Sequence, residues 1–185
     1  MRFELLNEPM DGLKLLSRGQ IGDPRGHFSR LFCADALSEH GWNNCVVQSN
    51  FSHTAEVGTV RGLHFQHPPH AEDKLVTCVA GAVFDVAVDL RERSPSFGKW
   101  FGAELSAENA HALLIPKGFA HGFQVIKPNS SMVYFHSAAY QPEFESGIAH
   151  NDPTLAISWP LQPIGLSQRD KQLSYFDTLE GGLNI

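Results

Sequence analysis

The sequence predicts an all-β protein whose short strands pack as a sandwich or barrel, and three observations carry that expectation. Apolar runs of five to eight residues recur between residues 46 and 137, separated by Pro, Gly, Asn or Ser at short intervals. Several runs are β-branched or aromatic with a two-residue period. Only one stretch has the length and ends of a helix. Short strands at this spacing are the mark of sandwiches and barrels. With 185 residues, the chain reads as a single domain over 1–185, long enough for a full core and too short for two comfortable ones.

Taken in order, the helical stretch comes first, Ala34 to His40, closed by Gly41. Strands are expected over Val46–His53, Lys74–Gly81, Val83–Leu90, Trp100–Leu105, His111–Ile115, His121–Ile126 and Met132–Ser137. Within Val83–Leu90 the residues Phe84, Val86, Val88 and Leu90 share one face, and the Gly-Ala step before them reads as the turn of a hairpin with Lys74–Gly81. A few residues after Ser167 form a second short helical turn. No linker, repeat or low-complexity segment interrupts this pattern.

Composition narrows the classes of function. The net charge of −6 argues against a nucleic-acid polymer as partner, because such binding rests on clustered Lys and Arg. Residues Met1 to Asp11 lack the apolar run of a signal peptide, and no stretch approaches the ~20 apolar residues of a membrane span. A cytoplasmic protein without membrane contact is expected. Cys33, Cys45 and Cys78 have no paired spacing, so they read as core or near-surface thiols rather than a disulfide framework or zinc site.

The most informative motif is Gly58-Thr-Val-Arg-Gly-Leu-His64-Phe-Gln66. It resembles the first half of the metal-binding repeat of the cupin superfamily, a Gly followed by a His six residues on and a second His two residues later. Gln66 stands where the second His belongs. Counting back from Gly81, Lys74 stands where the ligating Glu belongs. The second half of the repeat, Pro-x-Gly-x-x-His, is matched by Pro116, Gly118 and His121. Such a repeat would gather His64, Gln66, Lys74 and His121 around one cavity. A catalytic divalent metal needs about three protein ligands, and an ammonium cannot be one, so no metal and no cofactor is expected.

Beyond this motif the chain resembles the dTDP-4-dehydrorhamnose 3,5-epimerase family from about Asp23 to Asp170. The matching segments are Asp23-Pro-Arg-Gly-His-Phe, Gln48-Ser-Asn-Phe-Ser, Val60-Arg-Gly-Leu-His-Phe-Gln, Lys74-Leu-Val, Asp85-Val-Ala-Val-Asp-Leu-Arg, Ser94-Pro-Ser-Phe-Gly-Lys-Trp, Pro116-Lys-Gly-Phe-Ala-His-Gly-Phe, Asn151-Asp-Pro and Ser167-Gln-Arg-Asp. The resemblance implies a jelly-roll cupin barrel with a few short helices, a homodimer that exchanges strands, and a nucleotide-sugar substrate. Its most direct reading is inversion at C3 and C5 of dTDP-4-dehydro-6-deoxyglucose to dTDP-4-dehydro-L-rhamnose.

The same resemblance assigns roles that suit the chemistry. Removing a proton beside a ketone needs a base and a positive charge or donor at the oxygen of the nascent enolate. The implied base is His64, oriented by Asp170. Lys74 would neutralise the enolate, and Tyr134 would return a proton to the opposite face of the ring. Arg25, Arg61 and Arg169 would take the phosphates, with Arg169 standing where the family usually has Lys. Gln48, Asn50 and His121 would hydrogen-bond sugar or phosphate. Tyr140 matches a stacking platform for the base, Glu145 an acidic residue at the same end, and Phe28 belongs to the binding set. Asp85 and Asp89 read as structural, satisfied by Arg91, and His27, His40, His53, His67, His70, His111 and His150 as surface or loop residues.

Departures from the family pattern bear on the substrate. Arg30 stands where many members are acidic, and Phe135 followed by His136 replaces the usual Lys after Tyr134. A C3-only or C5-only epimerase acting on a related dTDP- or GDP-linked 4-keto sugar, heptoses included, shares the same His, Lys and Tyr. A metal-dependent cupin using His64 and His121, and a non-catalytic sugar-nucleotide binder, are the more distant alternatives.

Overall fold

Thirteen strands, one short helix and two 3-10 turns make up the computed structural model, which describes residues 2–179 and 181–185. The strands are β1 (Phe3–Met10), β2 (Leu13–Arg18), β3 (Gln20–Asp23), β4 (Gly26–Ser29), β5 (Gln48–Thr54), β6 (Val60–Gln66), β7 (Lys74–Ala80), β8 (Ala82–Asp89), β9 (Trp100–Ser106), β10 (His111–Ile115), β11 (Phe119–Val125), β12 (Ser130–His136) and β13 (Glu145–Gly147). They form a six-stranded sheet in the order β1-β2-β10-β7-β12-β5, a five-stranded sheet in the order β13-β6-β11-β8-β9, and a separate β3–β4 hairpin. Every pairing between these strands is antiparallel. This is the all-β jelly roll that the sequence led us to expect.

Three apolar layers hold the sheets. Between them, Val76, Leu113 and Met132 of the six-stranded sheet meet Val83, Leu105 and Phe123 of the five-stranded one. The outer face of the five-stranded sheet, with Val86, Val88 and Leu90, is covered by Ile148, Leu155, Phe176 and Leu183 from the C-terminal third. The outer face of the six-stranded sheet, with Leu16, Leu75 and Leu114, is covered by Leu37 and Trp42 around the helix α1 (Ala34–Ser38). Strands such as β8 and β11 are buried on both faces, so apolar residues fall on both faces of each, interrupted by Asp85 and Asp89 in β8 and by His121 and Gln124 in β11.

One expectation is corrected. Strands β7 and β8 do not pair with each other: β7 lies between β10 and β12, and β8 between β11 and β9. The chain changes sheets at Gly81, whose φ of +69° and contact with Ser130 leave no room for a side chain. Ser130 Oγ accepts the Ala82 N–H at 3.0 Å and secures the corner. Two period-2 runs joined by a Gly look alike whether they fold back in one sheet or step across to the other. The β1–β4, β6 and β13 strands were not anticipated either. Strand β1 is an irregular edge with two register shifts, and β6 carries Arg61 and Gly62 inside its run.

Candidate active site

A cavity of about 770 Å³ opens where the two sheets part, lined by β5, β7 and β12 of one sheet and β6, β11 and β13 of the other. That volume suits a ligand of nucleotide-sugar size. Its five-stranded wall depends on a close crossing of β6 and β11. Gly62 has φ +108°, and a Cβ there would sit 2.7 Å from both Gly122 Cα and His121 O. A Cβ on Gly122 would lie 2.6 Å from Arg61 O. With both side chains absent, the strands approach until His64 and His121 stand in register, followed by a bulge before Phe123.

His64 lines this wall and shares a hydrogen bond of 2.7 Å between Nε2 and Asp170 Oδ1. Asp170 begins the 3-10 turn Asp170–Gln172, its N–H donating to Ser167 Oγ at 3.0 Å, and its side chain is only 5% exposed. Burial pulls its carboxyl toward a higher pKa. The hydrogen bond and charge of His64, with donors from Ser167 and Gly62, outweigh this and hold it below the ordinary value. A carboxylate ionised on Nε2 leaves Nδ1 as the imidazole nitrogen able to accept a proton.

The six-stranded wall supplies the complementary groups. Lys74 Nζ lies 2.8 Å from Glu72 Oε1, both side chains under 10% exposed. Glu72 also accepts from Gln66 Nε2, while Gln66 Oε1 accepts the Gln141 N–H at 2.6 Å. The residue in the second-His slot of the cupin repeat is therefore a polar knot that seats Glu72 and, through it, Lys74. Tyr134 is half-buried on β12, its hydroxyl 3.0 Å from Ser52 Oγ, and withdrawal from water pushes its pKa well above that of a free phenol. It holds its proton throughout the neutral range.

His121 faces Tyr134 edge-on, with ring centroids 6.2 Å apart, and places Nε2 3.0 Å from both oxygens of Asp85. This corrects the expected role of Arg91. Arg91 forks onto Asp89, which Ser94 and Ser96 also bond, but Asp85 is satisfied by His121. Position along the strand explains the division. Asp85 points between the sheets toward β11, whereas Asp89 lies at the strand end beside the following turn.

Gln48, Asn50, Arg61, Tyr140, Glu145 and Arg169 also line the cavity, as their implied roles require. Arg169 Nη2 contacts Glu145 Oε1 at 2.6 Å. Arg25 and Phe28 do not line it. They sit on the β3–β4 hairpin, 89% and 64% exposed, with Arg25 forked onto Asp23. Ser52, Glu72 and His136 line the cavity and were not singled out as site residues from sequence. A period-2 reading from Gln48 through Asn50 would have reached Ser52, and one from Tyr134 would have reached His136. Nothing in the sequence marks Glu72. Among the described residues no group of three or more His, Cys, Asp or Glu is placed to hold a metal ion.

Comparison with known proteins decides the family. The family model for dTDP-4-dehydrorhamnose 3,5-epimerase matches residues 7–178. This chain belongs to the dTDP-4-dehydrorhamnose 3,5-epimerase family. Among members of that family, the Escherichia coli enzyme of that name is 44% identical over 181 residues, covering 96% of each chain. The crystal structure of the Legionella pneumophila dTDP-6-deoxy-D-glucose-3,5-epimerase, in complex with dTDP-4-keto-L-rhamnose, superposes with a TM-score of 0.93 at 40% identity, covering 100% of this chain and 99% of that one. A 3'-monoepimerase from Streptomyces bikiniensis, in complex with dTDP-quinovose, gives 0.87 at 29% identity, covering 97% and 89%. Like its relatives in this epimerase family, the chain is an isomerase of the nucleotide-sugar class.

Proposed function

We propose that this enzyme inverts C3 and C5 of dTDP-4-dehydro-6-deoxyglucose, giving dTDP-4-dehydro-L-rhamnose. The observation that carries the reading is the pairing of an Asp170-backed His64 on one sheet with Tyr134 and Lys74 on the other, across one cavity. His64 Nδ1 removes the proton from the carbon beside the ketone, and the electron pair moves onto the ketone oxygen. Asp170 stabilises the imidazolium so formed, and Lys74 neutralises the enolate. Tyr134 then gives its proton to the same carbon from the other wall, which inverts the centre. Neutral Tyr134 is suited to this step because its resting form carries no buried charge. Higher identity to the double epimerases than to the monoepimerase supports two inverted centres over one.

Arg61 and Arg169 are the proposed phosphate contacts within this chain, with Gln48, Asn50 and His121 on sugar or phosphate and Tyr140 stacked on the base near Glu145. For Arg25 and Phe28 we propose a homodimer. The β3–β4 hairpin projects Ile21 and Phe28 at 65% and 64% exposure, and the edge strand β5 presents Phe51 at 66%, so apolar surface is available for a second copy. Exchange of the hairpin would carry Arg25 and Phe28 to the partner's cavity. Among the described residues no helix is long and apolar enough to cross a membrane, in keeping with the cytoplasmic placement proposed here.

NMR in heavy water tests the reaction. Deuterium is expected at both C3 and C5 of dTDP-4-dehydro-6-deoxyglucose. Incorporation at one carbon alone would make the enzyme a monoepimerase, and none at either would overturn the proposal.

A further inference from the structure

His136 has no role in the mechanism above, yet it lines the cavity two residues beyond Tyr134 on the same face of β12. Its ring lies nearly parallel to the Tyr134 ring, at 18° and 6.2 Å. It also sits in a chain of polar contacts whose direction can be worked out from a fixed end. The backbone N–H of Tyr140 can only donate, and it donates to Gln48 Oε1 at 3.0 Å. Gln48 must therefore turn its Nε2 to Asn50 Oδ1, which it meets at 3.2 Å. Asn50 in turn presents Nδ2 to His136 Nε2, at 3.4 Å. A ring nitrogen facing an N–H donor must be unprotonated, so the proton sits on Nδ1.

The other end of the chain agrees with this arrangement. Nδ1 lies 4.0 Å from Glu72 Oε1, too far for a hydrogen bond but on the side where an N–H is favoured and a lone pair is not. Charges around the ring act together. Burial, Lys74 and His121 disfavour an imidazolium, Glu72 alone opposes them, and the net effect moves the pKa of His136 down to about 4. The backbone donor at one end thus sets the tautomer, and the carboxylate at the other favours it.

We infer that His136 is a positioning residue: its neutral imidazole, the acceptor that ends the chain begun by the Tyr140 N–H, holds the Asn50 amide so that Asn50, and Gln48 bonded to it, turn their spare N–H groups toward acceptor oxygens of the bound nucleotide sugar. The inference rests on the proposed substrate for the identity of those oxygens. Without that acceptor Asn50 is held only through Gln48 and can swing out of place, and a displaced amide gives a phosphoryl or sugar oxygen no donor. The lock runs from beside Lys74 to the loop of Tyr140, so it sets the wall along which the ligand lies.

The test compares wild type, His136→Ala and His136→Gln, using dTDP-glucose as a non-reacting probe for affinity and dTDP-4-dehydro-6-deoxyglucose for turnover. Loss of the lock in His136→Ala is expected to weaken dTDP-glucose binding and raise KM by about tenfold, leaving kcat within about threefold. Glutamine, which can accept from Asn50 and donate toward Glu72, is expected to restore both to within about threefold of wild type. In ¹⁵N-histidine NMR at neutral pH the signal lost in His136→Gln is expected to be that of a neutral ring protonated on Nδ1. Probe binding by His136→Ala within twofold of wild type, a loss confined to kcat, a folded His136→Gln no better than His136→Ala, or a ring protonated on Nε2 would each overturn the inference. If wild type itself turns over no substrate, the proposed reaction fails, while probe affinities and the tautomer still decide the role of His136.

Discussion

Replacing Asp170 by Asn isolates what the carboxylate adds to His64. The contact is 2.7 Å long, and Asp170 is almost fully buried while His64 is about a third exposed. An imidazolium and a carboxylate with charge centres ~4 Å apart interact by about 4 kcal/mol at an effective dielectric of ~20, and by less where water reaches the pair. Taking about 2–4 kcal/mol, the loss of charge alone lowers proton abstraction by roughly 30- to 1,000-fold, at about 1.4 kcal/mol per decade. The tautomer adds to the loss. An amide N–H directed at Nε2 would put the ring proton on Nδ1, the nitrogen that must be free to act as base. The assay is the rate of deuterium entry at C3 by NMR in heavy water, with dTDP affinity measured alongside. Exchange in Asp170→Asn is expected to fall by at least about 30-fold with dTDP binding within a few-fold of wild type. Exchange above a tenth of the wild-type rate would refute the view that Asp170 stabilises the charged and correctly protonated base.

Four further outcomes are expected. In Tyr134→Phe solvent deuterium still enters the substrate but net inversion stops, which separates proton removal from proton return; continued full epimerisation would remove Tyr134 from the mechanism. Lys74→Met leaves Glu72 buried without its cation and is expected to cost about 3–5 kcal/mol of stability as well as activity. Adding Glu72→Gln should recover most of the stability, measured by denaturant unfolding, and none of the activity. Gly62→Ala combines a left-handed φ with overlap against Gly122 and His121, for a loss of about 3 kcal/mol and a Tm lower by about 10 °C in a calorimetric scan. The pKa of Asp170 is lower in the folded protein than its ordinary 3.8, so its stabilisation is present above that value and lost as pH falls below it. The stability gap between wild type and Asp170→Asn should therefore narrow on acidification through that range, and a gap that widened would reverse the assignment.

Much of this protein was written locally. The strands from β7 to β12, other than their partners, follow from period-2 runs and turn residues, and they agree with the structure to within about two residues at each end. His64, Lys74 and His121 could be brought together on paper because the cupin-like repeat fixes which strand positions face the cavity, and all three line it. The same spacing left Gln66 in a ligand position, although an amide with a Glu neighbour behaves as structure, and only packing revealed that neighbour. Tertiary structure alone decided that β7 and β8 lie in different sheets, since local sequence specifies a strand and a corner but not the strand that will be found alongside. It alone gave His121 rather than Arg91 to Asp85, because the partner lies 36 residues away on another strand. The direction of the chain from Tyr140 to His136 came from structure for the same reason: side-chain amides and imidazoles have no fixed polarity until a backbone donor at one end imposes it.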